Sequence, residues 1–208
     1  SVFYYITVMN ENYQQPAMPA GVEDGIIKGM YLLEEEKGDF KHRVQLLGSG
    51  TILNEVRAAA GLLREMGVGA DIWSVTSFNE LRREGLAVDR WNRLHPLEER
   101  RLTYVEQCLG ERQGPVIAST DYMKLFADQI RQWVPGDYHV LGADGFGFSD
   151  TRRAARRWYH IDAESMVVRT LAALADKGQV DPSVVQQAIE KYDLFNYSIQ
   201  GNDHAGEE

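Results

Sequence analysis

A glycine-rich loop, LGADGFGFSD from Leu141 to Asp150, is the segment of this sequence that most resembles a binding site. Glycine-rich turns that follow strands often bind phosphate through their backbone amides. Here Asp144 and Asp150 would repel a phosphate, whereas Gly145 and Gly147 permit backbone angles with positive φ that other residues resist. The segment therefore predicts a loop that shapes a protein surface and not a phosphate site.

The remaining side chains of this loop indicate how it would be built. We expect Phe146 and Phe148 to turn towards apolar neighbours, and Ser149 or Asp150 to cap the helix that follows. With one histidine from further upstream, the residues expected to shape this loop or to lie in a domain or subunit interface are His95, Asp144, Gly145, Phe146, Gly147, Phe148, Ser149, Asp150 and Arg152.

A second glycine-containing segment, LGSGTILNE, resembles a dinucleotide-binding fingerprint only in its first two glycines, Gly48 and Gly50. Leu53 takes the place of the third glycine, which normally lets the helix pack closely on the strand. A Walker loop is absent as well, because no Gly-Lys-Ser or Gly-Lys-Thr occurs in the sequence. We interpret the segment as a tight turn between a strand and a helix.

Metal-ligating and nucleophilic side chains are present but lack the spacing of a catalytic site. Cys108 falls among apolar residues of a predicted helix, which favours a buried, unreactive thiol. His95, in RLHP, is the most suggestive histidine, although a histidine hydrogen-bonded within its own loop is the simpler interpretation. The sequence therefore predicts no catalytic, cofactor-binding or metal-binding residue in this chain.

Four arginines lie close together in TRRAARRWYH: Arg152, Arg153, Arg156 and Arg157. Such a group could bind a phosphate or an acidic partner, but a solvated or domain-facing helix surface is the favoured interpretation. Nucleic acid is excluded as a partner, because the net charge is −9 and no aromatic stacking platform accompanies the arginines.

The composition is that of a globular protein, with 208 residues of which 44% are hydrophobic and 25% charged. A chain of this length can form one substantial core. No apolar run approaches the ~18 residues that cross a bilayer, so we expect no membrane partner. A single cysteine cannot form an internal disulfide, which fits a reducing cytoplasm.

Apolar runs alternate with amphipathic segments along most of the sequence. The runs VQLLG, ADIWSV, PVIAST and YHVLG read as buried strands. This alternation predicts an α/β fold, a three-layer sandwich with a mostly parallel sheet of about five strands. The loops at the carboxyl ends of those strands, which include GSGT and GADGFGFSD, would then meet at one edge of the sheet.

Residues 1–43 are expected to be the end of a preceding domain and a linker, with the α/β domain at 44–195 and a disordered tail at 196–208. The spacing of Val22, Ile26, Met30 and Leu33 predicts a short helix in the linker. We expect a surface loop over 84–101 and one helix over DYMKLFADQIRQWV. A capping box, in which each side chain bonds the other's backbone amide, is predicted at Ser77 and Glu80, and helix caps are predicted at Asp162 and at Asp181 before Pro182.

Six separated segments resemble the C-terminal region of homodimeric bacterial pyruvate dehydrogenases. In chain order they are YYITVMNENYQQPAMP, VQLLGSGTILNEV, DIWSVTSFNELRREG, RWNRLHP, ASTDYMKLFADQI and LGADGFGFSD. The looser pattern is similar to transketolase C-terminal domains in general, and the MNENY and RLHP segments favour the pyruvate enzyme. The resemblance covers nearly the whole chain, up to about Tyr192.

The resemblance implies a parent enzyme with three α/β domains, thiamine diphosphate and magnesium. Such an enzyme decarboxylates pyruvate and passes the acetyl unit to the lipoyl group of dihydrolipoyl acetyltransferase. This chain would be its non-catalytic third domain, which contacts the preceding domains and the second subunit of a homodimer. Ala143-Asp144-Gly145 departs from the Gly-Asp-Gly of the family's cofactor motif, and no Asn-Asn follows. The chain alone would therefore bind no cofactor and be inactive.

Two other interpretations stay open at this point. The chain could be an independent small-ligand-binding or regulatory domain that uses the loops at its strand ends, or a free-standing enzyme with an unrecognised site. The C-terminal domain of a transketolase is a further alternative within the resemblance.

Overall fold

The computed structural model of the chain describes residues 12–147 and 149–195. Its strands are β1 (Met30–Glu34), β2 (His42–Gly48), β3 (Val68–Val75), β4 (Val116–Ser119) and β5 (Tyr138–Leu141). Its α-helices are α1 (Glu23–Lys28), α2 (Ile52–Glu65), α3 (Phe78–Leu94), α4 (Tyr104–Leu109), α5 (Lys124–Asp128), α6 (Arg152–Trp158), α7 (Ala163–Asp176) and α8 (Pro182–Lys191), and a 3₁₀ turn covers Arg131–Trp133.

The five strands form one sheet in the order β1-β3-β2-β4-β5. The pairs β2–β3, β2–β4 and β4–β5 are parallel, and only the edge strand β1 runs antiparallel to its neighbour. The predicted mostly parallel five-stranded α/β fold is confirmed.

The sheet separates two apolar cores, which gives the predicted three layers. On one face, Val56 and Leu63 of α2 pack with Leu171 and Leu174 of α7. On the other face, Leu81 of α3 packs with side chains of α4 and α5. The crossover after β2 therefore lies on one face of the sheet and those after β3 and β4 on the other, so the chain leaves the adjacent strands β2 and β4 towards opposite faces.

The predicted helix over Val22 to Leu33 is wrong in its second half. Helix α1 ends at Lys28, because Gly29 adopts the left-handed conformation with φ 110°. Met30 then enters strand β1 and pairs with Val75. The sheet thus contains a strand upstream of Val44, and the expected N-terminal strand and the tail 196–208 lie outside the described residues.

Two other helix predictions need correction. The segment expected as a loop over 84–101 is helical as far as Leu94, and Trp133 packs against this helix at Gly85, where a Cβ would lie 2.6 Å from its ring. The helix expected over residues 121–134 is reduced to α5 and a 3₁₀ turn. The Tyr122 carbonyl accepts a hydrogen bond from Ala143 N, which holds the start of this segment as a loop.

The predicted caps at Asp162 and Asp181 are confirmed, and of the capping box predicted at Ser77 and Glu80 only the bond to the Ser77 side chain is present. The side chains of Ser77, Asp162 and Asp181 each accept a backbone hydrogen bond from the first turn of the helix they precede. The complete capping box lies elsewhere, at Thr103 and Glu106 of α4. The T-x-x-E pattern in TYVE was the signal for it.

One buried acid, Asp71, joins β2, β3 and the segment after β1 by hydrogen bonds and ion pairs. Asp71 on β3 is 2% exposed. Its carboxylate accepts hydrogen bonds from Glu36 N at 2.9 Å and Gln45 Nε2 at 3.1 Å, and it forms ion pairs with Arg43 and Arg112. The charge is therefore buried but compensated on several sides.

Candidate functional site at the carboxyl end of the sheet

The loops after β2, β4 and β5 meet as the parallel sheet requires. Ser49 Oγ donates to Thr120 Oγ1 over 2.8 Å, and Ser49 N donates to the carbonyl of Ser119 over 3.3 Å. Thr120 N in turn donates to the carbonyl of Leu141 over 3.1 Å. These bonds extend the strand pairing past the ends of the strands and fix the three loops side by side.

The loop after β5 is fastened to the loop after β4 by Asp144. Lys124 N donates to Asp144 Oδ1 over 2.8 Å, and Lys124 Nζ lies 3.6 Å from Asp144 Oδ2. Ala143 N also donates to the Tyr122 carbonyl over 2.8 Å. Both carboxylate oxygens of Asp144 therefore face a lysine, and none of these contacts forms an anion cradle.

The two glycines of this loop differ in conformation. Gly145 has φ 108°, in the region that favours glycine, whereas Gly147 does not lie in that region. The expectation of positive φ thus holds at Gly145 alone. Between them, Phe146 is 97% exposed, so the expected turn towards apolar neighbours does not occur within this chain. Its carbonyl accepts a hydrogen bond from Tyr159 Oη, which fixes the backbone while the ring faces outwards. Phe148 lies outside the described residues.

The cap of the arginine-bearing helix is Thr151, not Ser149 or Asp150 as predicted. Thr151 Oγ1 accepts from Ala154 N over 3.3 Å. Asp150 supports the cap from one position earlier, because its Oδ1 accepts from Thr151 N over 2.6 Å. The prediction failed because the first residue with helical geometry is Arg152.

The four arginines do not form one exposed patch. Arg156 Nη1 donates to Glu55 Oε1 over 2.8 Å, and its Nη2 donates to Tyr13 Oη over 3.2 Å. Arg157 pairs with Asp162 and Glu164 and donates to the Tyr192 carbonyl over 2.8 Å. Only Arg152 and Arg153 are exposed. Arg156 and Arg157 thus serve contacts within the chain.

Four apolar side chains on the two joined loops and the first turn of α5 are exposed. Tyr122 is 53% exposed, Met123 56%, Leu125 68% and Phe146 97%. We call this group the carboxyl-edge apolar surface. Large apolar side chains that cluster in solvent contact are typical of a surface that another domain or subunit covers.

His95 lies apart from this surface. It follows α3, which carries the chain from the carboxyl end of β3 back to the amino end of β4. Its Nδ1 is 2.8 Å from the Trp91 carbonyl and its ring stacks on Trp91 at 4.3 Å. Leu94 and Leu97 beside it are exposed. The structure therefore does not bring His95 together with the residues of the glycine-rich loop.

A crevice that the sequence did not indicate opens between the loops after β2 and β4. Asp121 lies in it with one carboxylate oxygen, Oδ1, shielded from solvent and without a hydrogen-bond donor. Burial raises the pKa of Asp121, and the backbone hydrogen bond to its carboxyl, the nearby Arg156 and a hydrogen bond from Thr51 only partly offset that effect. A single aspartate in a loop has no sequence pattern, so only its surroundings identify it.

Other titratable groups are shifted by burial rather than by a shared site. Burial raises the pKa of the Cys108 thiol and lowers the pKa of His139 and of His160. Among the described residues, no three His, Cys, Asp or Glu side chains lie together as a metal site would need. No helix in the same part of the chain is long and apolar enough to cross a membrane.

Comparison with known proteins adds the family context. The model described as transketolase-like TK C-terminal domain matches residues 29–162. A Pseudomonas aeruginosa protein named pyruvate dehydrogenase E1 component is 65% identical over 93% of this chain, and its Escherichia coli K12 counterpart is 53% identical over 93%. The Mycolicibacterium smegmatis protein of that name is 45% identical over 99%. This chain spans 22% of the length of each relative.

Solved structures show the same fold at much lower sequence identity. A transketolase from Pichia stipitis superimposes with a TM-score of 0.51 at 18% identity, over 76% of this chain and 20% of the transketolase. A transketolase from Leishmania mexicana gives a TM-score of 0.50 at 16% identity, over 74% and 19% of the two chains.

Proposed function

We propose that this chain, which belongs to the family of transketolase-like C-terminal domains, is the architectural third domain of a pyruvate dehydrogenase E1 component. The identity to relatives of that name supports this assignment over a transketolase. The domain's task is to cover other parts of the enzyme and to support a homodimer. The whole enzyme would be cytoplasmic, decarboxylate pyruvate oxidatively and acetylate the lipoyl group of dihydrolipoyl acetyltransferase.

The described residues do not fit thiamine diphosphate and magnesium. Asp144, the acid of the Ala143-Asp144-Gly145 segment, faces Lys124 with both carboxylate oxygens. Among the described residues, Asp144 does not belong to a group of three His, Cys, Asp or Glu side chains that could hold a metal ion. The cofactor would therefore be bound by the preceding domains, and we derive no catalytic step from this chain.

The observation that carries the proposal is the exposure of Phe146 on a fastened loop. Exposed aromatic residues on unsupported loops are common, but this loop is tied down by Asp144 and by Tyr159. A fixed loop that presents a fully exposed phenylalanine has the form of an interface anchor. Its occupant under this proposal is another domain of the same polypeptide or the second subunit.

The test is the Phe146→Ala substitution in a full-length E1 component that carries this domain. If Phe146 is a buried anchor of the dimer, its removal should weaken dimerisation about tenfold, which corresponds to ~1.4 kcal/mol, or lower the melting temperature if it anchors a neighbouring domain. The matched control is Phe195→Ala, since Phe195 is also exposed, at 69%, but lies after α8. Sedimentation velocity and differential scanning calorimetry measure the two effects.

The proposal fails if Phe146→Ala abolishes cofactor binding while the dimer and the melting temperature stay unchanged. A second test concerns the chain alone. Titration calorimetry with thiamine diphosphate and magnesium should show no binding, and micromolar binding would overturn the assignment of roles.

A further inference from the structure

The outer face of α3 carries only basic and apolar side chains. Residues spaced three and four apart along a helix share one side of it, and the exposed side of α3 consists of Arg82, Arg83, Leu86, Ala87, Arg90, Arg93 and Leu94. We call this set the α3 outer face. It contains no acid, although the whole chain has a net charge of −9. The face is therefore a basic surface on an acidic protein.

The acids in the middle of α3 are held by the rest of the fold. Glu84 Oε2 accepts a hydrogen bond from Tyr104 N over 3.0 Å, and Asp89 Oδ2 accepts one from Trp133 Nε1 over 3.0 Å. Both contacts hold the carboxylate on the side of the helix that packs against the protein. These two acids are thus used within the fold and do not interrupt the α3 outer face.

Three of the four arginines on the α3 outer face lack a carboxylate partner. Arg83 pairs with Glu80, since Arg83 Nη1 lies 2.6 Å from Glu80 Oε1. Arg82, Arg90 and Arg93 are exposed, and their side chains form no ion pair or hydrogen bond within residues 12–147 and 149–195. A guanidinium group binds a carboxylate through two parallel hydrogen bonds. Three such groups on one face favour a partner that carries several carboxylates.

Exposed apolar side chains alternate with these arginines. Leu86 is 43% exposed and Leu94 is 61% exposed. They lie just over two turns apart, about 12 Å along the helix axis, with Arg90 midway between them. An open hollow of about 440 Å³ follows this stretch, lined by Leu86, Ala87, Arg90, Trp91, Leu94 and His95. The hollow is large enough to accept an apolar side chain of a partner.

The loop after α3 extends the apolar part of this face with a fixed conformation. Leu97 is 99% exposed. The loop is fastened to the helix, because Asn92 Nδ2 donates to the Arg101 carbonyl over 2.9 Å and Asn92 Oδ1 accepts from Arg101 N over 2.9 Å. Glu98 and Glu99 follow Leu97 and mark the end of the basic surface. A leucine presented in this way is typical of a surface that another molecule covers.

The arrangement of charges favours an acidic protein over a membrane or a second copy of the chain. On a membrane, Arg90 would be drawn into the apolar layer between the two leucines, which is costly, and anionic lipids would repel a chain of net charge −9. In a two-fold dimer through this face, arginines would lie opposite arginines. Permanent interfaces are more hydrophobic than a face with four arginines, which favours a separate, reversibly bound protein.

We propose that the α3 outer face is a docking surface for an acidic amphipathic helix of a separate protein. The apolar side chains of that helix would enter the hollow between Leu86 and Leu94. Its carboxylates would meet Arg82, Arg90 and Arg93. The surface shares no residue with the carboxyl-edge apolar surface and is therefore independent of the architectural role proposed above. A single helix buries a small area, so the complex should be reversible and sensitive to salt.

The probe is a synthetic peptide of three repeats of Glu-Leu-Ala-Ala-Leu-Glu-Glu with a fluorescent label. Fluorescence anisotropy measures its affinity for the 208-residue chain. We expect saturable binding that weakens about tenfold between ~0.05 and ~0.3 M salt. A matched peptide with alanine in place of every leucine should bind at least about tenfold more weakly, because it lacks the apolar contacts. General attraction does not explain such binding, since the chain and the peptide are both acidic.

Variants at exposed positions locate the binding surface. Arg90→Glu should weaken peptide binding at least about tenfold, because it places a negative charge opposite the carboxylates of the peptide. The control Arg153→Glu makes the same change in an exposed arginine of α6 and should have little effect. Leu94→Ala should also weaken binding, whereas Phe195→Ala, at a side chain that is 69% exposed after α8, should not. Circular dichroism checks that each variant is folded.

Full-length E1 component provides the second arm of the test. The peptide should bind it with similar affinity, and Phe146→Ala should leave this binding unchanged while it weakens the dimer. The proposal is overturned if the peptide does not bind saturably, if the alanine peptide binds equally well, or if Arg90→Glu and Arg153→Glu have equal effects. It is also overturned if the full-length enzyme does not bind the peptide, because its own domains then cover α3.

Two further results would assign the face to another occupant and overturn the proposal. One is cosedimentation of the unaltered chain with phosphatidylglycerol vesicles that is lost in Arg90→Glu, which would indicate a membrane. The other is self-association of the chain that Arg90→Glu abolishes in sedimentation velocity, which would indicate a second copy. The comparison of the two peptides on the unaltered chain remains decisive even if a variant fails to fold.

Discussion

Lys124 and Asp144 join the loops that follow β4 and β5: Lys124 N donates to Asp144 Oδ1 over 2.8 Å, and Lys124 Nζ lies 3.6 Å from Oδ2. The carboxylate is half-exposed, so the ion pair contributes little, and the hydrogen bond to the backbone is the larger effect. Asp144→Ala should lower the free energy of unfolding by about 1 kcal/mol. Asp144→Asn keeps an oxygen acceptor and should lose less. Thermal unfolding followed by circular dichroism measures both, and equal losses would show that the hydrogen bond is not what matters.

Asp71 should be among the most sensitive polar residues in the fold. Its removal takes away one of the two acceptors of Gln45 Nε2 and the acceptor of Glu36 N, and it breaks the Arg43 ion pair. We expect Asp71→Ala to cost about 3 kcal/mol of stability, the lower end for breaking a buried ion pair. Asp39→Ala removes an exposed acid and should be nearly neutral. Urea denaturation of the two variants measures the free energy of unfolding. A loss of less than about 1 kcal/mol in Asp71→Ala would contradict the claim that the contacts of Asp71 stabilise the fold.

Gly114 and Gly136 have similar φ angles but different surroundings, so alanine substitutions at the two positions distinguish backbone strain from steric clash. Gly114 has φ 86° and a Cβ there would lie 1.7 Å from the Arg43 carbonyl oxygen, whereas Gly136 has φ 76° and nothing within 4 Å. Gly136→Ala should cost roughly 1–2 kcal/mol through strain alone. Gly114→Ala should cost clearly more, because the chain must move away from β2 before β4 begins. Similar unfolding midpoints for the two variants would refute the close approach.

His139 should make the fold less stable in mild acid. Burial lowers its pKa, and the positive charge of Arg169 lowers it further. The unfolded chain therefore binds a proton more readily, so stability is complete above pH ~6.5 and falls as the pH drops towards the folded pKa. His139→Gln should reduce this loss between pH ~6.5 and ~5. Melting temperatures across that range provide the measurement, and an unchanged slope would show that other groups, such as His160, dominate.

Asp121 should destabilise the fold at neutral pH. Its pKa is raised, so the folded state favours the protonated acid, and stability is lost as the pH rises through the folded pKa. Asp121→Asn should raise the melting temperature by about 2–4 °C at pH ~7, corresponding to ~1 kcal/mol. The gain should shrink as the pH falls towards 3.8, the ordinary pKa of an aspartate. A lower melting temperature in the variant would show that the carboxylate is stabilised by a contact.

The sequence was sufficient to predict the sheet and the edge of the sheet at which its loops converge. Alternating apolar runs and amphipathic segments allow few arrangements other than a parallel sheet. Edge strand β1 was mistaken for helix because Met30 and Leu33 fit helical spacing as well. Gly29 was the signal that separates the two, since it ends α1 with a positive φ.

The site was less predictable than the fold, for physical reasons. Asp144 was expected to keep phosphate out of the loop, but its two contacts with Lys124 depend on how the loops after β4 and β5 approach each other. Asp121 has no neighbouring pattern at all, and its buried oxygen results from the packing of α6 over the strand ends. Such contacts arise between distant segments, which local periodicity does not encode.

The exposed fraction of Phe146 in a full-length E1 component tests the central claim most directly. A crystal or electron cryomicroscopy structure of the dimer gives this value, to be compared with 97% in the chain described here. The account predicts that Phe146 is buried against another domain or the second subunit, together with Leu125. If Phe146 remains fully exposed in the intact dimer, the carboxyl-edge apolar surface is not an interface and the architectural role assigned to it is wrong.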